Sequence, residues 1–167
     1  MIIYIRHGPD ERADHKYDEI LTRAGKEEVI SFTKQLLEEH GIPDIIYCSP
    51  FQRTRQTTQL MIKAIKRYRK ENNLTKRVDF IIEPKLGRFF TKQQMRYPDI
   101  KESTLRKGAI IKETYSEFKD RVTYHHQGLD PNLHIWNITH TLVLLHISKI
   151  NRVERSKYVR YLDTVKI

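Results

Sequence analysis

Cysteine is almost absent from this chain of 167 residues, and Cys48 is the only one. That excludes an intrachain disulfide. No set of Cys and His has zinc-site spacing, so no structural metal is expected either. Long apolar runs are missing, and none approaches the length of a membrane span. No basic segment, apolar stretch and cleavage site open the chain, so no signal peptide is expected. A cytoplasmic, reduced protein with no membrane partner is the expectation. Repeats, low-complexity tracts and interdomain linkers are also lacking. Residues 1–167 therefore read as a single domain, large enough to fold without staples.

Acidic residues are in short supply. Against 31 Lys and Arg there are 21 Asp and Glu, leaving a net charge of +10. Such a balance favours anionic partners, whether phosphorylated metabolites, nucleic acid or an acidic protein. The densest basic cluster is Lys63, Lys66, Arg67, Arg69 and Lys70, continuing to Lys76 and Arg77, with Tyr68 interleaved. No nucleic-acid motif accompanies it, so it reads as a solvated helix face and nucleic acid is not expected as a partner.

What is present alternates between short apolar runs and longer amphipathic stretches. Ile2 to Ile5 reads as a buried strand that must be internal to the fold. Thr22 caps a helix to about His40, with Val29, Phe32 and Leu36 on one face and Gly41 and Pro43 as stops. Ile45 to Tyr47 is a second strand. Ser49 as N-cap and Pro50 in the first turn open a helix that ends near Asn72-Asn73. Val78 to Ile82 is a third strand. Pro84 to Ile110, with Gly87, Pro98 and Gly108, has no clean period and reads as a long excursion over the sheet. A helix carrying Tyr115, Phe118 and Val122 follows, then a strand at Ile135 to Thr139 and a helix at about Leu142 to Ile150. Tyr158 to Val165 reads as a last edge strand. The alternation predicts a three-layer α/β fold, with a mostly parallel central sheet and helices on both faces.

The first strand delivers Arg6-His7-Gly8 to a turn, with the glycine free to take unusual backbone angles. Ligands of open α/β sheets bind at such carboxyl ends. A guanidinium can clamp two phosphate oxygens there while an imidazole attacks phosphorus. Leu21-Thr22-Arg23-Ala24-Gly25 opens the next helix. Cys48-Ser49-Pro50-Phe51-Gln52-Arg53-Thr54-Arg55-Gln56-Thr57 follows the second strand, and Ile138-Thr139-His140 ends a later one. In this order the motifs resemble the histidine phosphatase superfamily, which includes the cofactor-dependent phosphoglycerate mutases. The resemblance runs from Met1 to about Leu145.

The resemblance implies a metal-independent phosphatase with no cofactor, acting on a phosphomonoester or phosphoprotein. His7 would be the nucleophile, passing through a phosphohistidine. Arg6 and Arg53 match the arginines that hold phosphate, and planar forks suit that task better than lysine. Arg53 falls on the first turn of its helix, so backbone N–H groups and the helix dipole are expected to add to anion binding. Arg55 lies outside the pattern and reads as a surface residue or salt-bridge partner. Three histidines, His134, His140 and His146, compete for the second histidine position. Glu113-Thr114-Tyr115 with Arg121 resembles the family's Glu-Ser stretch, and counting on from it selects His140, at a strand's end and before a helix.

Two positions depart from the pattern. Thr141 stands where the family has Gly. Leu86-Gly87-Arg88 stands where phosphatases and mutases carry Leu-x-Glu, whose glutamate protonates the leaving oxygen. Three readings stay open: another carboxylate (Glu83, Asp10 or Glu113) serves as acid; the leaving group needs none; or the chain binds phosphate and turns over poorly, with Arg88 an added anion contact. Mutase activity needs enclosing insertions that this short chain lacks.

Overall fold

Side-chain parity along the first strand sets the layering. Ile3 and Ile5 join Val29, Leu36, Leu37, Met61 and Ile65 in one buried cluster. Ile2 and Tyr4 join Phe118, Val122, Val143, Leu144 and Ile147 in another. A strand apolar on both faces has to be covered on both faces. The computed structural model describes residues 1–11, 18–92, 100–154 and 158–167. In chain order it contains β1 (Ile2–Arg6), α1 (Arg23–His40), β2 (Ile45–Cys48), α2 (Gln52–Glu71), β3 (Asp79–Ile82), a 3-10 turn (Pro84–Leu86), α3 (Glu102–Leu105), α4 (Tyr115–Gln127), β4 (Ile135–Thr139), α5 (Thr141–Ile150) and β5 (Thr164–Lys166).

The sheet order is β3-β2-β4-β1-β5. All neighbours pair in parallel except β5, which runs antiparallel to β1. This is the expected α/β architecture: α1 and α2 pack on the first cluster, α4 and α5 on the second. β1 is internal, as its apolarity requires, and every residue of the central β4 is buried. β3 lies at the edge, and three of its four residues are exposed. No helix among the described residues is long and apolar enough to cross a membrane.

Local signals account for most boundaries. The Thr22 hydroxyl accepts from Gly25 N and caps α1, and Gly41, at φ 73°, ends it. Thr114 and Glu117 form a reciprocal capping box on α4.

Several expectations need correction. Ser49 does not cap α2; Phe51 stands at that position without a side-chain cap, and Pro50 precedes it. The third strand begins at Asp79 rather than Val78. Tyr158 to Val165 is not one strand: β5 covers Thr164–Lys166, and residues 158–163 form an irregular segment. The excursion from Pro84 holds the 3-10 turn and α3, and Pro98 lies outside the described residues.

Gly8 does not use a left-handed backbone. Its glycine requirement is close approach instead. A Cβ there would sit 2.5 Å from Val29 Cγ2, and one on Gly25 would collide with the carbonyl oxygen of Pro9. The turn after β1 and the first turn of α1 thus touch through two missing side chains. Replacing Gly25 with Ala overpacks this junction and is expected to lower stability by about 1–3 kcal/mol. A denaturant titration of Gly25→Ala beside the wild type checks it, and an unchanged midpoint would refute the contact argument.

Candidate active site

Three adjacent parallel strands end at the same edge of the sheet. β1 and β4 are in register to their last residues, Arg6 opposite Thr139. The next backbone bond, His7 N to Thr139 O at 3.1 Å, extends the ladder past the end of β1. His7 and His140 therefore leave the sheet side by side, with ring centroids 5.4 Å apart. β2, on the other side of β4, leads into α2, whose second residue is Arg53. Thr57, one helical turn on, ties this turn to β1: its hydroxyl accepts from Gly8 N at 3.0 Å and donates to Arg53 O at 2.7 Å.

Hydrogen bonding fixes both tautomers. His7 Nδ1 lies 2.8 Å from the Gly8 carbonyl. A carbonyl only accepts, so Nδ1 carries the proton and Nε2 keeps the lone pair. His140 is the reverse. The Arg53 guanidinium, which only donates, faces its Nδ1 at 3.5 Å, so Nε2 donates to Ser49 Oγ at 2.9 Å. Both imidazoles are held well below the ordinary histidine pKa. Burial is the main cause, followed by the positive charge of Arg53, with further contributions from Arg6 and Arg88. Both rings are neutral near pH 7.

A cleft of about 220 Å³ opens over these rings. Arg6, His7, Arg53, Arg88 and His140 all line it, so the fold brings every site residue expected from the sequence to one place. His7, Arg53 and His140 form the floor, each 4% exposed. Arg6 is half-buried; its Nη1 donates to Val159 O at 2.6 Å and its guanidinium lies 4.1 Å from the Tyr161 ring centroid. Arg53 Nε is 3.6 Å from Asp10 Oδ2. Burial lowers the Arg53 pKa, Asp10, Asp18 and Glu19 oppose that, and the group remains a cation. Arg88 stands on the rim, its guanidinium 4.7 Å from the Phe90 ring centroid.

The competing candidates lie elsewhere. His146 is inside α5 and bonded to Thr123, and His134 meets Trp136 at the opposite end of β4. Arg55 is half-buried and donates to Thr104 Oγ1, bracing α3. Among the carboxylates considered as acids, Glu113 makes a bidentate pair with Arg121 at 2.6 and 2.7 Å. Glu83 caps the 3-10 turn, and the hydrogen bond from His125 holds its pKa below the usual range. Only Asp10 of the three lines the cleft.

Glu19, Phe89, Thr141, Leu142 and Tyr161 also line the cleft, and the sequence reading did not single them out for it, apart from Thr141 as a departure. Tyr161 donates its hydroxyl to Asp10 Oδ1 at 2.6 Å while its ring lies beside His7. Asp18 changes the account of α2. Its Oδ1 accepts from Gln52 N at 2.7 Å, and its Oδ2 accepts from Lys101 N and Thr104 Oγ1. A protein carboxylate thus occupies the helix N-terminus at Gln52 that was expected to serve an external anion. Ser49, expected as a cap, instead orients His140.

Among solved structures with this fold is the ecdysone phosphate phosphatase of Bombix mori in complex with tungstate, at TM-score 0.68 and 15% identity, covering 98% of this chain and 86% of that one. The α-ribazole phosphatase of Shigella flexneri matches at TM-score 0.57 and 20% identity, over 89% of this chain and 78% of that one. A protein assigned as the phosphohistidine phosphatase SixA of Agrobacterium tumefaciens matches at TM-score 0.55 and 16% identity, over 89% and 74%. A search of curated proteins gives no match. The family model for the histidine phosphatase superfamily (branch 1) matches residues 2–147, the span that holds Arg6, His7, Arg53, Arg88 and His140. This chain belongs to that superfamily.

Proposed function

We propose that this protein is a metal-independent phosphatase that works through a phosphohistidine on His7. The observation that carries the reading is the His7 tautomer. Its one proton is committed to Gly8 O, which leaves an unprotonated Nε2 in a cleft with three arginines. In the first step Nε2 attacks phosphorus, the N–P bond forms, the P–O bond breaks and the leaving oxygen takes the electron pair. Water then attacks phosphorus, and inorganic phosphate leaves with His7 restored. Arg6 and Arg53 hold the phosphoryl oxygens and offset their charge. His140, neutral and with its Nδ1 facing the Arg53 guanidinium at 3.5 Å, orients that fork on the transferring group. Arg88 adds a further cation at the rim.

The substrate class is a phosphorylated small molecule or phosphoprotein. The fold relatives named as an ecdysone phosphate phosphatase, an α-ribazole phosphatase and a phosphohistidine phosphatase support that breadth. We read the chain as one domain, a reading supported by residues 158–163 meeting Arg6, His7 and Asp10. We place the protein in the cytoplasm, where Cys48, buried with its thiol pKa pushed up to about 12, stays an inert core residue.

Aryl phosphate hydrolysis in the presence of a chelator tests the reading. His7→Ala is expected to reduce turnover by at least about a thousandfold with an unchanged circular dichroism spectrum. Retained turnover would remove His7 as nucleophile. Arg53→Ala is expected to weaken vanadate binding by about tenfold or more. His140→Ala should cost far more activity than His146→Ala, and the reverse order would remove His140 from the site. A wild type that binds vanadate but turns over no aryl phosphate would indicate a phosphate-binding protein instead.

The pH profile carries a separate expectation. His7 must be neutral to attack, and its pKa lies below 6.5, so kcat/KM stays level as pH falls from 8 past 6.5. Activity is lost only as pH drops through the lowered value. A limb centred at 6.5 or above, after correction for substrate ionisation, would contradict the burial argument.

A further inference from the structure

The proposed phosphatase mechanism leaves the departing group unassigned, and the following inference rests on that mechanism. We propose that the site cleaves phosphoric anhydrides, in which the transferred phosphoryl group is joined to a second phosphate or a carboxylate, and that Arg88 receives the charge of the departing oxygen.

The placement of Arg88 is built rather than incidental. Leu86 is fully buried, and its carbonyl accepts from Thr139 Oγ1 at 2.7 Å, on the residue before His140. Arg121 donates to the carbonyls of Lys85, Gly87 and Arg88, and Glu113 holds Arg121 in turn. The backbone that carries Arg88 is thereby tied to β4 and α4. Its guanidinium packs against Phe90, and its charge reaches both His7 and His140. A phosphoryl group seated on the buried floor, against His7, Arg53 and His140, would turn its remaining substituent toward the rim where Arg88 stands.

The carboxylates are distributed differently. Asp10 and Glu19 line the cleft with Arg88, and together with Asp18 they act on Arg53. Asp10 accepts from Tyr161 and faces Arg53, and Asp18 is held by Gln52 N and Thr104. Glu83 and Glu113 are engaged with His125 and Arg121, away from the cleft. On the side that Arg88 occupies, the described lining residues of the same segment are Arg88 and Phe89, a cation and an aromatic ring.

This division selects among leaving groups. An alkoxide needs a proton as its bond to phosphorus breaks, and a guanidinium does not supply one because it stays charged at all working pH. A phosphate or carboxylate needs none. It departs with the electron pair of the bridging P–O bond as a stable anion, and a guanidinium fork matches two of its oxygens. As that bond breaks, the His7 Nε2–P bond forms. Water then attacks the phosphorus held on His7, the N–P bond breaks and the transferred group leaves as inorganic phosphate, so one anhydride and one water give two acids.

Steady-state rates for inorganic pyrophosphate, acetyl phosphate, glycerol 1-phosphate and 4-nitrophenyl phosphate test the assignment. They are measured with chelator on the wild type, Arg88→Met and Arg88→Glu. The wild type is expected to favour the anhydrides over the alkyl ester by at least about a hundredfold in kcat/KM, and Arg88→Met to cut that ratio by about tenfold or more. Arg88→Glu is expected to reverse the preference, since a carboxylic acid on the rim can protonate an alkoxide. Unchanged circular dichroism spectra and denaturation midpoints of the Arg88 variants show that they fold, so a changed ratio reports the leaving group. An alkyl ester cleaved as fast as the anhydrides, or a ratio unchanged in Arg88→Met, would overturn the assignment while aryl phosphate turnover left the phosphatase reading standing. No turnover of any of the four substrates by the wild type would overturn both.

Discussion

The parallel pairing of β1 with β4 is what everything at the cleft depends on. Because Arg6 lies opposite Thr139, and the ladder gains one more bond beyond Arg6, two imidazoles emerge at the same level of the sheet. A one-residue slip would turn β1 over and exchange its two apolar faces. Ile3 and Ile5 would then leave α1 and α2, and Ile2 and Tyr4 would leave α4 and α5. The apolar core thus holds the register, and the register holds the chemistry. The glycines after β1 serve the same end, since they let α1 approach until Gly8, Val29 and Gly25 touch.

Electrostatically, the cleft keeps its imidazoles neutral among guanidinium groups. Burial does most of this, and the arginines only reinforce it. Solvent exclusion therefore matters as much to the state of His7 as the adjacent cations. The carboxylates are used structurally. Asp18 closes the α2 N-terminus, Asp10 links Arg53 to Tyr161, and Glu113 steadies the arginine behind the Arg88 turn. The first N–H of α2, at Gln52, is taken by Asp18.

The layering was legible because β1 opens as a short continuous apolar run and β4 is apolar apart from Asn137 and Thr139, and a strand buried on both faces demands helices on both sides. His140 could be picked out from His134 and His146 by its place at a strand's end. What local pattern did not reveal are contacts between distant residues. Asp18 meets Gln52 and Thr104 across 34 and 86 positions, and Tyr161 meets Asp10 across 151. Ser49 looked like a helix cap because Ser before Pro so often is one, but its hydroxyl is drawn to an imidazole that no short window contains. Tyr158 to Val165 read as one edge strand, and residues 158–163 instead present Val159 and Tyr161 to Arg6.

That segment enters the sheet through β5, an edge strand of three residues. Short edge pairings open at far lower free energy than a fully buried central strand. The carbonyl and ring that fix Arg6 are thus fastened to one of the weakest ladders, while His7 and His140 are fastened to the strongest. Opening of β5 would release one wall of the cleft and leave the floor in place. Amide protons of Ile2 and Ile167, which exchange bonds across that edge, would lose their protection in the same event. The site is thus joined to two cooperative units of unequal stability, and its fully assembled population is set by the weaker one.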